Sequence, residues 1–279
     1  MAGYSDLLKT PGVARIITSQ LVARFPFGML SLVLLLHVER IFGSYGLAGT
    51  VLACYSIGQA IAGPTSSRLM GRFGMRPVLI VTLCLCLITV GSLSITTFPL
   101  PFYLIVGFFG GLTTPPIQPA VRTVYPKMVP SKMLTPLFSL DATAQEIIWV
   151  VGPVVATFTA TQISTPAGVY LCVALMLIGG IWFICSPELG QVRIPPSRSK
   201  MGAVLKKPPV LLATIIGFLL IGGAAAIEAG VVAAFGHDGP EAGLVLAVFS
   251  VGSLAGGLAI GHRPIGKWAL TLRILTVFV

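Results

Sequence analysis

Long, uninterrupted apolar segments recur along the chain and are separated by short polar stretches. A helix rises about 1.5 Å per residue, so roughly 20 apolar residues are enough to cross the hydrocarbon layer of a bilayer. This pattern predicts an all-α integral membrane protein with eight complete spans. A ninth apolar segment starts near Lys267 and reaches Val279. The predicted spans are residues 13–37, 46–70, 77–97, 101–124, 135–161, 166–186, 209–235 and 241–261.

The scarcity of charge excludes an ordinary soluble enzyme. Only 9% of the 279 residues are charged and 55% are hydrophobic, whereas about a quarter of the residues of a soluble domain are charged. The formal net charge of +10 does not indicate a nucleic-acid partner, because the basic residues lie between apolar segments rather than along one stripe. The predicted partner is the lipid bilayer. The sequence has no nucleophile and base pair, phosphate-binding loop or metal-ligand pattern, so we expect no enzyme activity, cofactor or metal site.

Basic residues accumulate in alternate loops, which gives a predicted orientation. Lysine and arginine concentrate on the cytoplasmic side of short membrane loops. In the opposite loops the only lysine or arginine is Arg40. We therefore predict a multi-pass protein of the plasma membrane with a cytoplasmic N-terminus. The basic set comprises Lys9, Arg15, Arg68, Arg72, Arg76, Arg122, Lys127, Lys132, Arg193, Arg198, Lys200, Lys206, Lys207, Arg263 and Lys267.

A polar linker and an internal repeat indicate two related halves. The longest polar stretch follows the sixth span and is rich in proline, serine and basic residues. Residues 48–63 align with residues 242–257 at an offset of 194, with identity at positions 48, 49, 51, 52, 53, 56, 58 and 63. This plan is typical of transporters built from parallel repeats. We predict a six-helix half at 1–188, a cytoplasmic linker at 189–208 and a partial second half at 209–279.

The turn after the second span carries a recognisable motif. Residues 67–79 read SRLMGRFGMRPVL, which resembles the loop motif GxLaDRxGrRxxL of the major facilitator superfamily. Ser67, Gly71 and Met75 depart from that motif, and Gly71 stands where the family has an acidic residue of its gating network. The matching residues are Leu69, Arg72, Gly74, Arg76 and Leu79.

The resemblance implies a fold and a function. Gly152 and Pro153 in the fifth span resemble the GP motif of exporter branches of the superfamily. The family usually has twelve spans in two bundles, so this chain is expected to hold a complete first half and a partial second half. The resemblance also implies that Arg72, Gly74 and Arg76, together with Arg122, belong to a gating region.

Ionisable residues at bilayer depth usually mark transport pathways or internal ion pairs. Arg24 and Glu146 each lie about 11 residues into a span, at similar predicted depth. One interpretation is that both line a cavity and that Glu146 binds a proton or a substrate cation. The other is a permanent ion pair that fixes the first span against the fifth.

Other candidates lie nearby or in the second half. Asp141 could pair with Arg122, although Arg122 could equally extend to the interface. Glu228 in the seventh span is either a second titratable cavity group or a hydrated group near the outer interface. Three prolines interrupt the fourth span and would leave backbone carbonyls for the cavity or serve packing alone: Pro115, Pro116 and Pro119.

Two functional hypotheses follow from this sequence. The first is a secondary active transporter of a small organic solute, coupled to protons and with export favoured by Gly152 and Pro153. The second is a non-transporting membrane protein, either truncated or dependent on a partner chain, which the end of the chain inside an apolar segment favours.

Overall fold

The computed structural model describes residues 7–95, 98–190, 192 and 203–235, together with residues 248, 251–252 and 255–256. These residues are helical or irregular, and no strand occurs among them. The chain divides into two compact units, Met1–Ser197 and Arg198–Val279.

The first unit is a bundle of apolar helices. Six of its helical segments are long and apolar enough to cross a membrane, with α4 and α5 together forming one of them. The short helix α8 follows the last span. The helices are α1 (Val13–Phe42), α2 (Tyr45–Phe73), α3 (Met75–Ser92), α4 (Leu100–Leu112), α5 (Ile117–Met128), α6 (Ser131–Gln162), α7 (Thr165–Cys185) and α8 (Pro187–Gly190).

The first six predicted spans are confirmed, and a local stop signal accounts for the end of the first one. Helix α1 continues five residues beyond the predicted end at residue 37 and stops at Gly43, which has a φ of 65°. The Gly43 amide donates to the Glu39 carbonyl at 2.6 Å, and glycine is the residue that adopts this left-handed conformation most readily. The side chain of Ser44 then accepts a hydrogen bond from the Leu47 amide at 3.3 Å and caps α2.

The second unit contains a 3₁₀ helix at Ala203–Lys206 and helix α9 at Pro208–Phe235. Helix α9 lies at the predicted seventh span. The predicted eighth span is described only at residues 248, 251–252 and 255–256, and the ninth lies outside the described residues.

Helix α1 lies at the centre of the first unit. It packs against α2, α5, α6 and α7, while α2 packs mainly against α4, and α3 packs against α4 and α7. Buried apolar side chains form one cluster toward the Val13 end of α1 and a second toward its Phe42 end. We call these the Val13 end and the Phe42 end of the bundle.

Glycine allows α2 and α4 to approach each other closely. A Cβ at Gly58 would collide with the Phe108 carbonyl oxygen and the Leu112 nitrogen. A Cβ at Gly111 would collide with the backbone of Tyr55 and Gln59 in return. Gly58 is one member of a small-xxx-small pair with Ala62, the spacing that permits such contacts in membrane helices.

A buried histidine connects three helices at the Phe42 end. The side chain of His37 on α1 is fully buried. Its Nε2 lies 2.9 Å from the carbonyl oxygen of Leu93, and its Nδ1 lies 2.9 Å from the hydroxyl of Thr165. A carbonyl can only accept, so in the neutral ring Nε2 carries the proton and Nδ1 accepts from Thr165.

We expect His37→Phe to lower the free energy of unfolding by about 2 kcal/mol, because a buried carbonyl and a buried hydroxyl lose their partner. Thr165→Val should cost less, since it leaves the bond from His37 to Leu93 in place. Apparent melting temperatures of the purified variants in detergent would measure both effects. An unchanged melting temperature for His37→Phe would contradict this account.

Candidate functional site

Four polar side chains meet in the interior of the first unit, and we call them the polar cluster. The Oδ1 atom of Asp141 accepts hydrogen bonds from Nε2 of Gln20 at 2.6 Å and from the hydroxyl of Tyr125 at 3.1 Å. A terminal nitrogen of Arg24 donates to Oε1 of Gln20 at 2.8 Å and lies 3.8 Å from Oδ1 of Asp141. The cluster therefore connects α1, α5 and α6 through one carboxylate.

This ion pair is largely removed from solvent. The side chains of Arg24 and Asp141 are each 7% exposed. Buried charges are tolerated when they are paired and when their remaining polar atoms have partners. Gln20 provides this by bonding both ions, since its amide donates to one and its carbonyl accepts from the other.

The predicted pairing of Arg24 with Glu146 is absent. Among the described residues the acidic partner of Arg24 is Asp141, and Glu146 is only half-buried. Five residues separate the two acids, which turns Glu146 by roughly 140° around the axis of α6 from Asp141. The two side chains therefore face different surroundings, although both lie on one helix.

Arg122 does not pair with Asp141 either. Its side chain is exposed, whereas Tyr125, three residues later on α5, is fully buried and bonds Asp141. The position that the sequence suggested for Arg122 is thus taken by a neutral hydroxyl. The geometry agrees with the alternative in which Arg122 extends away from the bundle interior.

A cavity of about 540 Å³ opens beside the polar cluster. Its wall comes from α1, α2, α6, the segment between α4 and α5, and the first turn of α5. Arg24 reaches this wall from the cluster, while Asp141 and Glu146 do not line the cavity. The other polar and aromatic lining residues are Phe27, Ser31, Tyr55, Ser56, Gln59, Ser66, Thr114, Gln118, Gln145 and Trp149.

The interrupted fourth span forms part of that wall. Helix α4 ends at Leu112 and α5 begins at Ile117, with Pro115 and Pro116 between them. Residues 114–119 line the cavity, and the hydroxyl of Tyr55 on α2 lies 3.4 Å from the hydroxyl of Thr114. The proline break thus places non-helical backbone at a cavity, where irregular backbone is tolerated within a membrane.

The loop motif after α2 contributes contacts at the Val13 end. Gly74 has a φ of 93°, which permits the sharp turn between α2 and α3. The guanidinium of Arg76 donates to the Ser186 carbonyl at 2.9 Å, so it joins the start of α3 to the end of α7. Arg72 is exposed, and its guanidinium lies 5.2 Å from the ring centre of Phe73.

Gly152 has a packing role at the crossing of α1 and α6. A Cβ at Gly152 would lie 2.9 Å from the carbonyl carbon and oxygen of Gly28, and one at Gly28 would lie 2.5 Å from the Ile148 carbonyl oxygen. Neither helix could carry a larger residue there without moving away from the other. Pro153 continues α6 as a half-buried residue.

Sequence reasoning missed several residues that the structure brings into contact. Gln20 and Tyr125 complete the polar cluster, and Glu188 on α8 pairs with Arg15. Gln20 lies four residues before Arg24, a helical spacing that could have indicated a shared face. Glu228 was predicted as a cavity candidate and lies on α9, but its side chain is outside the described residues.

Comparison with known protein families gives a match over most of the chain. The family model described as Major Facilitator Superfamily matches residues 16–279. None of the curated proteins matches the chain. The matched segment includes every member of the polar cluster and the whole cavity wall.

Proposed function

Because the chain belongs to the major facilitator superfamily, a family of secondary transporters of small solutes, we propose that its transport is coupled to protons through Asp141. The family supports a multi-pass membrane transporter rather than an enzyme. The coupling is a proposal that rests on the polar cluster and its position beside the cavity.

The observation that carries this proposal is the single carboxylate shared by Gln20, Arg24 and Tyr125. When Asp141 is ionised, it neutralises Arg24. When it is protonated, Arg24 retains an unbalanced positive charge at the cavity wall. A protonation change thereby alters the electrostatics that a solute meets, and such a differential interaction can shift the balance between two conformations.

Glu146 is a second candidate for proton coupling. It is half-buried on the same helix and has no ion-pair partner among the described residues. It does not reach the cavity wall or the polar cluster, so its protonation would act on the solute from a greater distance. We therefore place Asp141 first.

Direction and location are further parts of the proposal. Export is supported by the resemblance of Gly152 and Pro153 to the exporter motif, although packing against Gly28 accounts for the glycine independently of direction. The basic alternate loops support a cytoplasmic N-terminus, and we propose the plasma membrane as the location. Loading vesicles with solute on one side only would test the direction.

The proposal is tested by reconstituting the full chain in liposomes with an imposed proton gradient and following internal pH. We expect at least one member of a panel of sugars, amphipathic cations and metabolites to evoke proton flux. Glu146→Gln should retain most of that flux. Loss of flux in Glu146→Gln with folding intact would transfer the coupling role to Glu146. If well-folded wild-type protein shows no proton flux with any solute of the panel, the non-transporting alternative is favoured.

A further inference from the structure

The charge on the described cavity wall has one sign. Arg24 is the only ionised side chain among the described residues that line the cavity. Asp141, its counter-ion, lies behind it in the polar cluster and does not reach the wall. On the described part of the wall, a solute in this cavity therefore meets a guanidinium and no carboxylate.

Some of the hydrogen-bond donors of Arg24 are unused within the described part of the chain. One terminal nitrogen is occupied by Gln20, while the second terminal nitrogen and Nε make no hydrogen bond within the described part of the chain. A guanidinium has five N–H donors in a planar fork that matches a carboxylate, sulfonate or phosphonate. The unused donors can receive an anionic group without displacing Gln20.

The remainder of the wall suits an apolar body with a few polar contacts. Phe27, Tyr55 and Trp149 offer aromatic surface, and the amides of Gln59 and Gln145 can donate or accept. Ligand sites commonly combine such apolar and aromatic surface with a few fixed polar groups.

We propose that this cavity binds a small organic anion with an aromatic or other apolar body, that its anionic group sits on Arg24, and that it binds together with a proton on Asp141. This inference rests on the proposed proton coupling and adds the chemical class of the solute.

The coupling follows from the positions of the charges around Asp141. Arg24 on α1 and Tyr125 on α5 contact it, and the exposed Arg122 on α5 adds a more distant positive charge. Glu146, on α6 itself, faces away, and α7, which also packs against α6, contains no Asp, Glu, Lys, Arg or His.

An anion on Arg24 competes with ionised Asp141 for the same guanidinium. It therefore favours the protonated acid, and by reciprocity the protonated acid favours the anion. The affinity for the anion should consequently fall as the pH rises and proton binding becomes less favourable.

The test uses probes whose own charge does not change with pH. Benzenesulfonate, 2-naphthalenesulfonate and hexanesulfonate remain anionic across the useful range, so any proton taken up on binding belongs to the protein. Benzenesulfonamide and benzyltrimethylammonium provide neutral and cationic counterparts of similar size. Calorimetric titration of the full chain in detergent, in buffers of different ionisation enthalpy, reports both affinity and proton uptake.

We expect a sulfonate to bind with an affinity that falls about tenfold per pH unit on the alkaline side, the limit for one linked proton. Asp141→Asn should bind it without proton uptake and without that pH dependence. Arg24→Gln should weaken binding by about tenfold or more, because the charge-assisted hydrogen bonds are lost. Arg40→Gln, the same change at an exposed position of α1, should bind as wild type does.

The proposal is overturned if well-folded protein binds none of the sulfonates, if the neutral or cationic counterpart binds as tightly, or if Arg24→Gln binds them unchanged. These failures are separable from failure of proton coupling. If a sugar or a cation drives proton flux, and Asp141→Asn abolishes that flux, the proposed proton coupling stands and the proposed anionic solute is rejected. If sulfonate binding requires Arg24 but takes up no proton, the proposed anion site stands and the proposed coupling through Asp141 is rejected.

Discussion

Replacing Asp141 with asparagine is expected to reduce solute-driven proton flux to the level of protein-free liposomes. Asparagine keeps the size of the side chain, and its carbonyl oxygen can still accept from Gln20 and Tyr125. It removes the group that we propose to carry the proton. Exchange of labelled solute between equal concentrations on both sides should persist, because that exchange needs no net proton movement. The measurement is internal pH and labelled exchange in the same liposomes.

The single substitution also leaves Arg24 without its counter-ion, which must be separated from the effect on transport. Breaking a buried ion pair by removing one partner costs about 3–5 kcal/mol. The double variant Arg24→Gln with Asp141→Asn leaves no buried charge in the cluster and should recover much of that stability while its proton flux remains absent. Wild-type flux in either variant would remove Asp141 from the coupling mechanism.

Gly58→Val is expected to destabilise the bundle by about 3 kcal/mol or more, at the upper end of what overpacking usually costs. The added atoms would meet backbone atoms of Phe108 and Leu112 rather than flexible side-chain ends, so α2 and α4 would have to separate. The loss should appear as a lower apparent melting temperature and a smaller monodisperse fraction after extraction.

Gly49→Val is the matched control for that prediction. Gly49 lies on the same helix, and a Cβ there would meet nothing within 4 Å. Replacing glycine within a helix also raises helix propensity slightly. We therefore expect the control to change stability by less than about 1 kcal/mol, and equal losses in both variants would contradict the role of the α2 and α4 crossing.

Hydropathy predicted the first six spans because lipid requires long apolar helices whatever their neighbours are. The break in the fourth span could also be anticipated, since Pro115 and Pro116 cannot continue a regular helix. The end of α1 depends on the backbone conformation of Gly43 and on its hydrogen bond to Glu39. Hydropathy does not reveal this conformation, so the prediction ended α1 five residues early.

The pairing inside the bundle was harder to predict than the helices themselves. Sequence position gives depth along a helix, and on depth alone Glu146 matched Arg24. The partner is decided by rotation about the helix axis, which placed Asp141 toward α1 instead. Neutral polar residues such as Gln20 and Tyr125 are not conspicuous in the sequence because they carry no charge, and their hydrogen-bond partners lie on other helices or a full turn away.

For the small residues, the sequence shows a spacing that favours close packing, but it does not show which helices are in contact. The spacing of Gly58 and Ala62 is visible in the sequence and is common where membrane helices approach closely, but it does not identify α4 as the neighbouring helix. Gly152 was recognised only through a family motif, whereas the structure gives it a steric reason in Gly28.

Side chains near both ends of helix α1 make polar contacts with neighbouring elements. His37 bonds the end of α3 and the start of α7, and Arg15 pairs with Glu188 on α8 beyond the other end of α7. Rotating α1 about its own axis would break polar contacts at both ends at once. These contacts keep Arg24 in register with α3 and α7, and we expect the three helices to shift together in any change of conformation.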